Sequence, residues 1–152
     1  MGDTLDLTVD KFTFRIATDR RYTEDGLWVL ELEPGGGRLR IGLSDFLQKR
    51  SGDVAFVTVN RPATVIDRGD ELAEVETIKV TIGLPSPVGC SVLAVNGALD
   101  ATPELVNQQP YGDGWLAEVE ATDWTGATGT LLEPTAYLET VRTQAQDVLE
   151  KP

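Results

Sequence analysis

Short segments in which apolar and polar residues alternate recur along the chain, and clusters of glycine and proline separate them. Phe12, Phe14 and Ile16 alternate with polar residues in the pattern of a half-buried β-strand. Residues 34–37 read Pro-Gly-Gly-Gly, a composition typical of a turn. The sequence therefore predicts a mainly β domain of about eight short strands.

Two helix signals interrupt the strands. Ser44 is a good N-cap for a short helix over residues 45–50, which begins with an acid and ends with bases, as the helix dipole favours. Pro134 begins a C-terminal helix with one apolar stripe. The stripe consists of Tyr137, Val141, Ala145 and Val148. We expect a small β-sandwich or flattened barrel with short helices, a C-terminal helix docked on it, and a frayed end beyond Leu149.

The net charge argues against two classes of partner. Lys and Arg number 13, and Asp and Glu number 25, which gives a net charge of −12. Such a surface repels phosphate backbones and anionic lipid, so we expect no nucleic acid and no membrane partner. No apolar run approaches membrane-spanning length, and the first residues lack the features of a signal peptide. We therefore expect a soluble, cytoplasmic protein.

The scarcity of two residue types narrows the chemistry. The chain has no histidine, which excludes Ser-His and Cys-His nucleophilic pairs and histidine metal sites. Cys90 is the only cysteine, so neither an internal disulfide nor a thiolate metal cluster can form. We predict no catalytic residue and no metal site. Cys90 stands at the start of a predicted strand, where we interpret it as a small buried hydrophobe.

Lys79 is the one lysine of four whose surroundings suggest a function. It lies between two β-like arms, residues 71–76 and 80–84. A lysine at the tip of a hairpin holds its amine outward on a rigid base, where a modifying enzyme can reach it. Because most exposed hairpin lysines have no function, the spacing by itself is weak evidence.

The sequence around Lys79 has a wider likeness. Residues 69–79 resemble the lipoylation segment of glycine-cleavage H proteins, with its Gly-Asp, its Glu-Ser/Thr and its modified lysine. Further segments between residues 22 and 145 match the same family in the same order. These are residues 41–46, 52–54, 84–87, 96–99, 103–107 and 110–116. No single match is specific, but their order and spacing together indicate the family.

The resemblance implies a fold and a cofactor. The fold is the lipoyl-domain hammerhead, a barrel-sandwich hybrid of two antiparallel sheets, with Lys79 at the tip of one hairpin. The chain then divides into an N-terminal extension or edge strand (1–21), the lipoyl domain (22–132) and a C-terminal helix with a frayed end (133–152). The implied cofactor is lipoic acid, joined through an amide to Lys79 to form a swinging arm.

The resemblance also implies a carrier rather than an enzyme. A lipoate-protein ligase or lipoyl-assembly enzymes attach the cofactor, and dihydrolipoamide dehydrogenase is a further implied partner. The arm then shuttles intermediates between partner enzymes by disulfide exchange. Glu74 and Glu76 are candidates for recognition by the lipoylating enzyme, and the alternative is that they are solvated charges of the hairpin.

Departures from the family pattern bear on the pathway. H proteins carry His-Glu before the tryptophan matched by Trp28, where this chain has Gly26 and Leu27. Pro85 replaces an aromatic residue, and Thr58 stands where glutamate is usual. We therefore expect an H-like paralogue, most similar to the lipoate-binding proteins that act beside heterodisulfide-reductase-like complexes in sulfur oxidation.

Two alternatives to the sulfur-oxidation hypothesis stay open. The first is a glycine cleavage H protein, which carries an aminomethyl group between glycine decarboxylase and aminomethyltransferase. The second, from a different class, is an unmodified β-sandwich binding module whose hairpin lysine is incidental. A biotin carrier is disfavoured because the usual Met-Lys-Met around the modified lysine is absent.

The tryptophans and two carboxylates invite functional interpretations. Trp28 and Trp115 each lie in a predicted strand, so we expect them to pack in the core. Trp124 is predicted in a loop before the last helix, and its role is left open between packing and a docking surface. Asp45 and Asp53 flank the first short helix and are expected to serve its ends.

Overall fold

A computed structural model describes residues 3–150 of the chain. In chain order the strands are β1 (Thr4–Val9), β2 (Phe12–Ala17), β3 (Arg21–Tyr22), β4 (Leu27–Glu31), β5 (Arg38–Leu43), β6 (Val54–Val59), β7 (Val65–Ile66), β8 (Glu71–Thr77), β9 (Thr81–Pro85), β10 (Cys90–Val95) and β11 (Ala117–Ala121). The helices are α1 (Asp45–Ser51), α2 (Ala98–Ala101), α3 (Leu105–Gln108), α4 (Trp124–Thr128) and α5 (Pro134–Glu150). The predicted mainly β architecture with a C-terminal helix is confirmed.

The strands form three antiparallel sheets. The largest has six strands in the order β3-β4-β5-β11-β10-β7, and the second has three in the order β6-β8-β9. β1 and β2 form a separate hairpin, in register from Thr4 opposite Ala17 to Val9 opposite Phe12. The two expected sheets are therefore joined by a third, made by the N-terminal residues.

Two hydrophobic cores hold these layers together. The first combines side chains of the six-stranded and three-stranded sheets, such as Ile41 and Val75, which are fully buried. The second joins the β1-β2 hairpin to α5 and includes Ile16, Trp28 and Tyr137, also fully buried. Burying one large apolar side chain stabilises the fold by about 1.5–3 kcal/mol, so the hairpin is an integral part of the folded chain.

Helix α1 begins where the sequence predicts. The Ser44 hydroxyl accepts a hydrogen bond from the Leu47 N–H at 3.2 Å, which is the geometry of an N-cap. The helix runs to Ser51, one residue further than expected, and ends at Gly52. Gly52 has φ +93°, a conformation that glycine adopts without strain, and its N–H donates to the carbonyl of Gln48.

Helix α5 confirms most of the predicted apolar stripe. Tyr137, Val141 and Ala145 are buried against the β1-β2 hairpin and β3. Val148 is 47% exposed, so its assignment to the stripe was wrong, because the last turns of α5 extend beyond the residues of the second core. The helix continues to Glu150, and the rest of the predicted frayed end, residues 151 and 152, lies outside the described residues. None of the helices described is both long and apolar enough to cross a bilayer.

Candidate functional site

Lys79 lies in the turn of the hairpin formed by β8 and β9. The two strands are paired up to Glu76 opposite Thr81, and Lys79 follows three residues after that pair on the β8 side. Its side chain is exposed. The structure thus places the lysine at the tip of a two-stranded arm, as the alternating segments on either side of it predicted.

The side chain of Thr77 fixes the turn beneath the lysine. Its hydroxyl oxygen accepts hydrogen bonds from the N–H groups of Lys79 (3.2 Å) and Val80 (3.0 Å), and the hydroxyl donates to the Val80 carbonyl at 3.0 Å. Threonine commonly makes such local bonds in turns. One buried side chain, that of Thr77, therefore holds the backbone on both sides of Lys79. This role of Thr77 was not predicted from the sequence, although a threonine two residues before the tip is a recognisable turn signal.

The tip is also tied to the loop that follows α1. The Ile78 N–H donates to the Asp53 carbonyl at 3.1 Å. Asn107 holds the other side of this loop, because its side chain donates to the Gly52 carbonyl at 3.0 Å and accepts from the Val54 N–H at 2.9 Å. Lys79 therefore stands on a base built from three distant parts of the chain. No periodicity or turn signal marks Asn107 for this role.

The lysine side chain runs back over this loop. Its Nζ donates to the Arg50 carbonyl at 3.3 Å, and its Cε lies next to the Cα of Gly52. Arg50 belongs to the last turn of α1.

Apolar and acidic side chains surround the tip. Ile78 and Val80 flank Lys79 and are 76% and 48% exposed, and Phe56, which pairs with Glu76 across β6 and β8, is 67% exposed. Glu74 and Glu76 are exposed on β8. Exposed apolar residues grouped in this way are typical of a contact surface.

A cleft of about 480 Å3 runs beside the hairpin. Val80, the residue after Lys79, lines one part of it, and Arg50 of α1 and Asp25 supply charged groups elsewhere in its wall. The cleft begins one residue from Lys79, so a chain extending from the lysine amine has a surface of this protein on which to lie.

Two of the residues that depart from the H-protein pattern, Gly26 and Leu27, are packed close to this cleft. Leu27 is fully buried in β4, where a glutamate would place a charge in the core. Gly26 has φ +98°, and a Cβ there would lie 2.9 Å from the Cβ of Leu47. Histidine and glutamate at these positions would require the packing around Leu27 and Leu47 in this chain to shift.

The remaining candidates are structural. Cys90 begins β10, is fully buried, and lies 3.6 Å from the Ser86 hydroxyl. Burial raises the pKa of the Cys90 thiol, so it stays protonated and unreactive at neutral pH. The Asp45 carboxylate accepts hydrogen bonds from the N–H of Arg15 at 2.9 Å and from the Nζ of Lys49 at 3.0 Å. Asp53 accepts the hydrogen bond from the Ile78 N–H through its backbone carbonyl.

The tryptophans divide between confirmed and corrected predictions. Trp28 lies in β4 and is fully buried, as expected. Trp115 lies two residues before β11 rather than in a strand and is half-buried, with the guanidinium of Arg40 4.8 Å from its ring centre. Trp124 begins the short helix α4 rather than lying in a loop; it is 9% exposed and its ring N–H donates to Glu31. Its burial indicates packing, not docking.

A small antiparallel β domain that presents Lys79 at a hairpin tip held from below has the architecture of a lipoyl-type domain. The model of the glycine cleavage H-protein family matches residues 20–144. The chain is 40% identical to the glycine cleavage system H protein of a Mycobacterium species (strain KMS) over 124 residues, 80% of this chain and 93% of the relative. It is 36% identical to that of Thermus thermophilus over 130 residues, 86% and 98% of the two chains.

A solved structure agrees. The crystal structure of a glycine cleavage system H protein from Mycobacterium marinum superposes with a TM-score of 0.73 at 28% identity, covering 86% of this chain and 99% of that one. The chain belongs to the glycine cleavage H-protein family. Proteins of this family carry lipoic acid covalently on a lysine and are carriers, not catalysts, so this chain is a cofactor-bearing carrier.

Proposed function

We propose that Lys79 is the lysine that carries lipoic acid and that the chain is the H protein of a glycine cleavage system. The observation on which this depends is the exposed position of Lys79 in a turn that Thr77 and Asp53 hold from below. The other two lysines of the described residues lie elsewhere, Lys11 between β1 and β2 and Lys49 in α1.

The residues around Lys79 fit the group. The exposed side chain allows an acylating enzyme to approach, and the adjoining cleft offers Leu47, Ile82 and Leu84 to the hydrocarbon part of an arm and Asp25 and Arg50 to polar groups. When attached, the lipoyl group supplies a disulfide that exchanges with thiols and can carry a group on sulfur. The protein supplies the rigid base and the acidic surface, and attachment to the base raises the local concentration of the cofactor at each partner.

The pathway is proposed from the relatives. Those reported above are glycine cleavage system H proteins, at 36–40% identity and over more than nine-tenths of their length. This supports transport of an aminomethyl group between glycine decarboxylase and aminomethyltransferase rather than the sulfur-oxidation role that the departures suggested. The proposed partners are those two enzymes, dihydrolipoamide dehydrogenase and the enzymes of lipoyl attachment, in the cytoplasm.

One observation favours a second candidate function. Gly26 and Leu27 replace the His-Glu of H proteins, and the side chains around them are packed against the smaller and the apolar residue. Gly26 packs against Leu47, which lines the cleft, so the change at this position bears on the surface beside the arm. Delivery to a heterodisulfide-reductase-like complex in sulfur oxidation is therefore the second candidate function. A glycine–CO2 exchange assay with the other glycine cleavage proteins separates the two. We expect exchange to depend on the lipoylated chain, and a lack of exchange favours the second candidate.

Lipoylation itself is tested by intact mass. Protein incubated with lipoate, ATP and a lipoate-protein ligase is expected to gain one lipoyl group, because one lysine is presented at a held tip. Lys79→Arg removes the nucleophile and is expected to abolish the gain. Lys11→Arg is the matched control, since Lys11 also lies in a hairpin turn, and it should lipoylate like the wild type. A wild-type protein that gains no mass supports the unmodified binding module instead.

A further inference from the structure

The side chain of Lys79 has a defined path across the protein. Its Nζ reaches the carbonyl oxygen of Arg50 at 3.3 Å, in the last turn of α1. The last carbonyls of a helix have no donor within the helix and carry partial negative charge, so they attract an amine. The amine is therefore hydrogen-bonded to the protein although the side chain is exposed.

Gly52 makes this path possible. A Cβ at position 52 would lie 2.8 Å from the Cε of Lys79 and 3.6 Å from its Nζ. The first distance is shorter than real Cβ contacts, so a side chain at position 52 requires the end of the Lys79 side chain to shift from this path. The bare backbone of Gly52 is a shallow channel for the alkyl chain of Lys79.

Hydrogen bonds hold both Gly52 and the hairpin tip above it in place. Asn107 donates to the Gly52 carbonyl at 3.0 Å, which fixes the floor, and the Ile78–Asp53 hydrogen bond of 3.1 Å keeps the tip over it. The contact between Lys79 and Gly52 thus follows from a base that is fixed independently of the lysine side chain.

We propose that Gly52 is a positioning residue for the modification of Lys79, because it leads the lysine amine to the Arg50 carbonyl and so presents it at one place to the acylating enzyme. This rests on the proposed function, in which Lys79 is lipoylated. The proposal gives a physical reason for a Gly-Asp pair far from the lysine in sequence. The Lys79 side chain lies over Gly52, and the Asp53 carbonyl accepts a hydrogen bond from the turn.

The resting contact is compatible with the chemistry. The Lys79 nitrogen, after losing one proton, forms a bond to the acyl carbon of a lipoyl adenylate. The bond from that carbon to the phosphate oxygen breaks, AMP leaves with the electron pair, and the nitrogen releases a second proton. One hydrogen remains on the amide nitrogen and can still donate to the Arg50 carbonyl, so the channel also serves the root of the attached arm.

The position of the side chain is tested by NMR without any modification. In the unlipoylated wild-type chain, nuclear Overhauser effects are expected between the Lys79 Cε protons and the Gly52 Cα protons. Their absence overturns the proposal. Because this measurement needs no lipoate, it reports on the channel even if Lys79 is not the attachment site.

The role in modification is tested with two matched glycine variants. Gly52→Ala and Gly35→Ala both place alanine at a positive φ, +93° and +70°, but a Cβ at position 35, in the turn between β4 and β5, meets nothing within 4 Å. With a lipoate ligase we expect kcat to fall about tenfold in Gly52→Ala, with KM changed by less than about twofold, because the amine is misplaced while the docking surface is intact. Gly35→Ala is expected to keep the wild-type kcat and KM.

Three outcomes contradict the proposal. A wild-type kcat in Gly52→Ala does so directly, and an equal loss in both variants assigns the effect to backbone strain. A wild-type chain that shows the NMR contact but accepts no lipoate overturns the proposed function and the role of Gly52 in it. If Gly52→Ala does not fold while Gly35→Ala does, the NMR contact in the wild type remains the deciding result.

Discussion

Glu74 and Glu76 lie on the exposed face of β8, close to the tip that carries Lys79. Within residues 3–150 neither carboxylate forms an ion pair, so both are available to a partner. An enzyme that approaches Lys79 meets Glu76 three residues from its target. We propose that Glu76, and Glu74 behind it, are read as negative charges by the lipoylating enzyme.

The glutamate proposal predicts a salt-dependent effect. Glu76→Gln is expected to raise the KM for lipoylation about threefold at low ionic strength with kcat unchanged, because one exposed charge contributes roughly 0.2–1 kcal/mol to an encounter. The difference should shrink at high salt as screening increases. Glu120→Gln on β11, also an exposed strand glutamate, is the control. Equal KM values for the two variants would show that Glu76 is only a solvated charge.

At the scale of elements, the β1-β2 hairpin is the main addition to the family domain. The family match begins at residue 20, after this hairpin. The outer edge of β2 is bonded to the domain: the Lys49 Nζ donates to the Thr13 carbonyl at 2.7 Å, and the Tyr111 hydroxyl donates to the Arg15 carbonyl at 2.6 Å. An edge strand with satisfied backbone groups does not invite pairing with other chains.

The packing of this hairpin predicts a stability effect. Ile16 is fully buried in the second core. Ile16→Ala is expected to lower the free energy of unfolding by about 2–5 kcal/mol, because it removes buried methyl groups and leaves a cavity. Denaturant unfolding followed by tryptophan fluorescence measures this. Thr13→Ala, at an exposed position of the same strand, should change stability by less than about 1 kcal/mol.

At the scale of the whole molecule, three distant segments meet at a pair of tyrosines. The rings of Tyr22 and Tyr137 stack with centres 4.4 Å apart, and both side chains are fully buried. The Tyr137 hydroxyl lies 2.7 Å from that of Ser44, the N-cap of α1, and the Tyr22 hydroxyl donates to the Ala17 carbonyl at 2.7 Å. Burial raises the pKa of both tyrosines well above the ordinary value.

These raised pKa values predict loss of stability at alkaline pH. Above a pH of about 10 the tyrosines of the unfolded chain release protons while those of the folded chain keep them. The folded state then binds more protons, so the free energy of unfolding falls as pH rises through this range, and the contribution is fully present below it. Denaturant unfolding at a pH of about 8 and about 10.5 measures the fall. It should be smaller in Tyr22→Phe, and an equal fall in both proteins would contradict this account.

The sequence by itself determined the features that depend on neighbours along the chain. Alternation in β8 and β9 predicted the arms around Lys79, and the hydroxyl of Ser44 predicted the start of α1, because period and capping are local properties. Predictions from the local pattern were wrong where the burial or position of a residue depends on which other segment packs against it. Val148 continues the stripe of α5 but passes the end of the core, and Trp115 precedes its predicted strand.

Only the tertiary structure decided what supports the lysine. Gly52 and the Arg50 carbonyl contact Lys79 from about 27 and 29 residues away in the sequence, and Asn107, about 28 residues away on the other side, holds Gly52. No periodicity records such contacts. The same is true of the β1-β2 hairpin, whose alternation predicts a strand but not its place against α5. Residue spacing sets the conformation of a segment, whereas the closing of the chain on itself determines which segments touch.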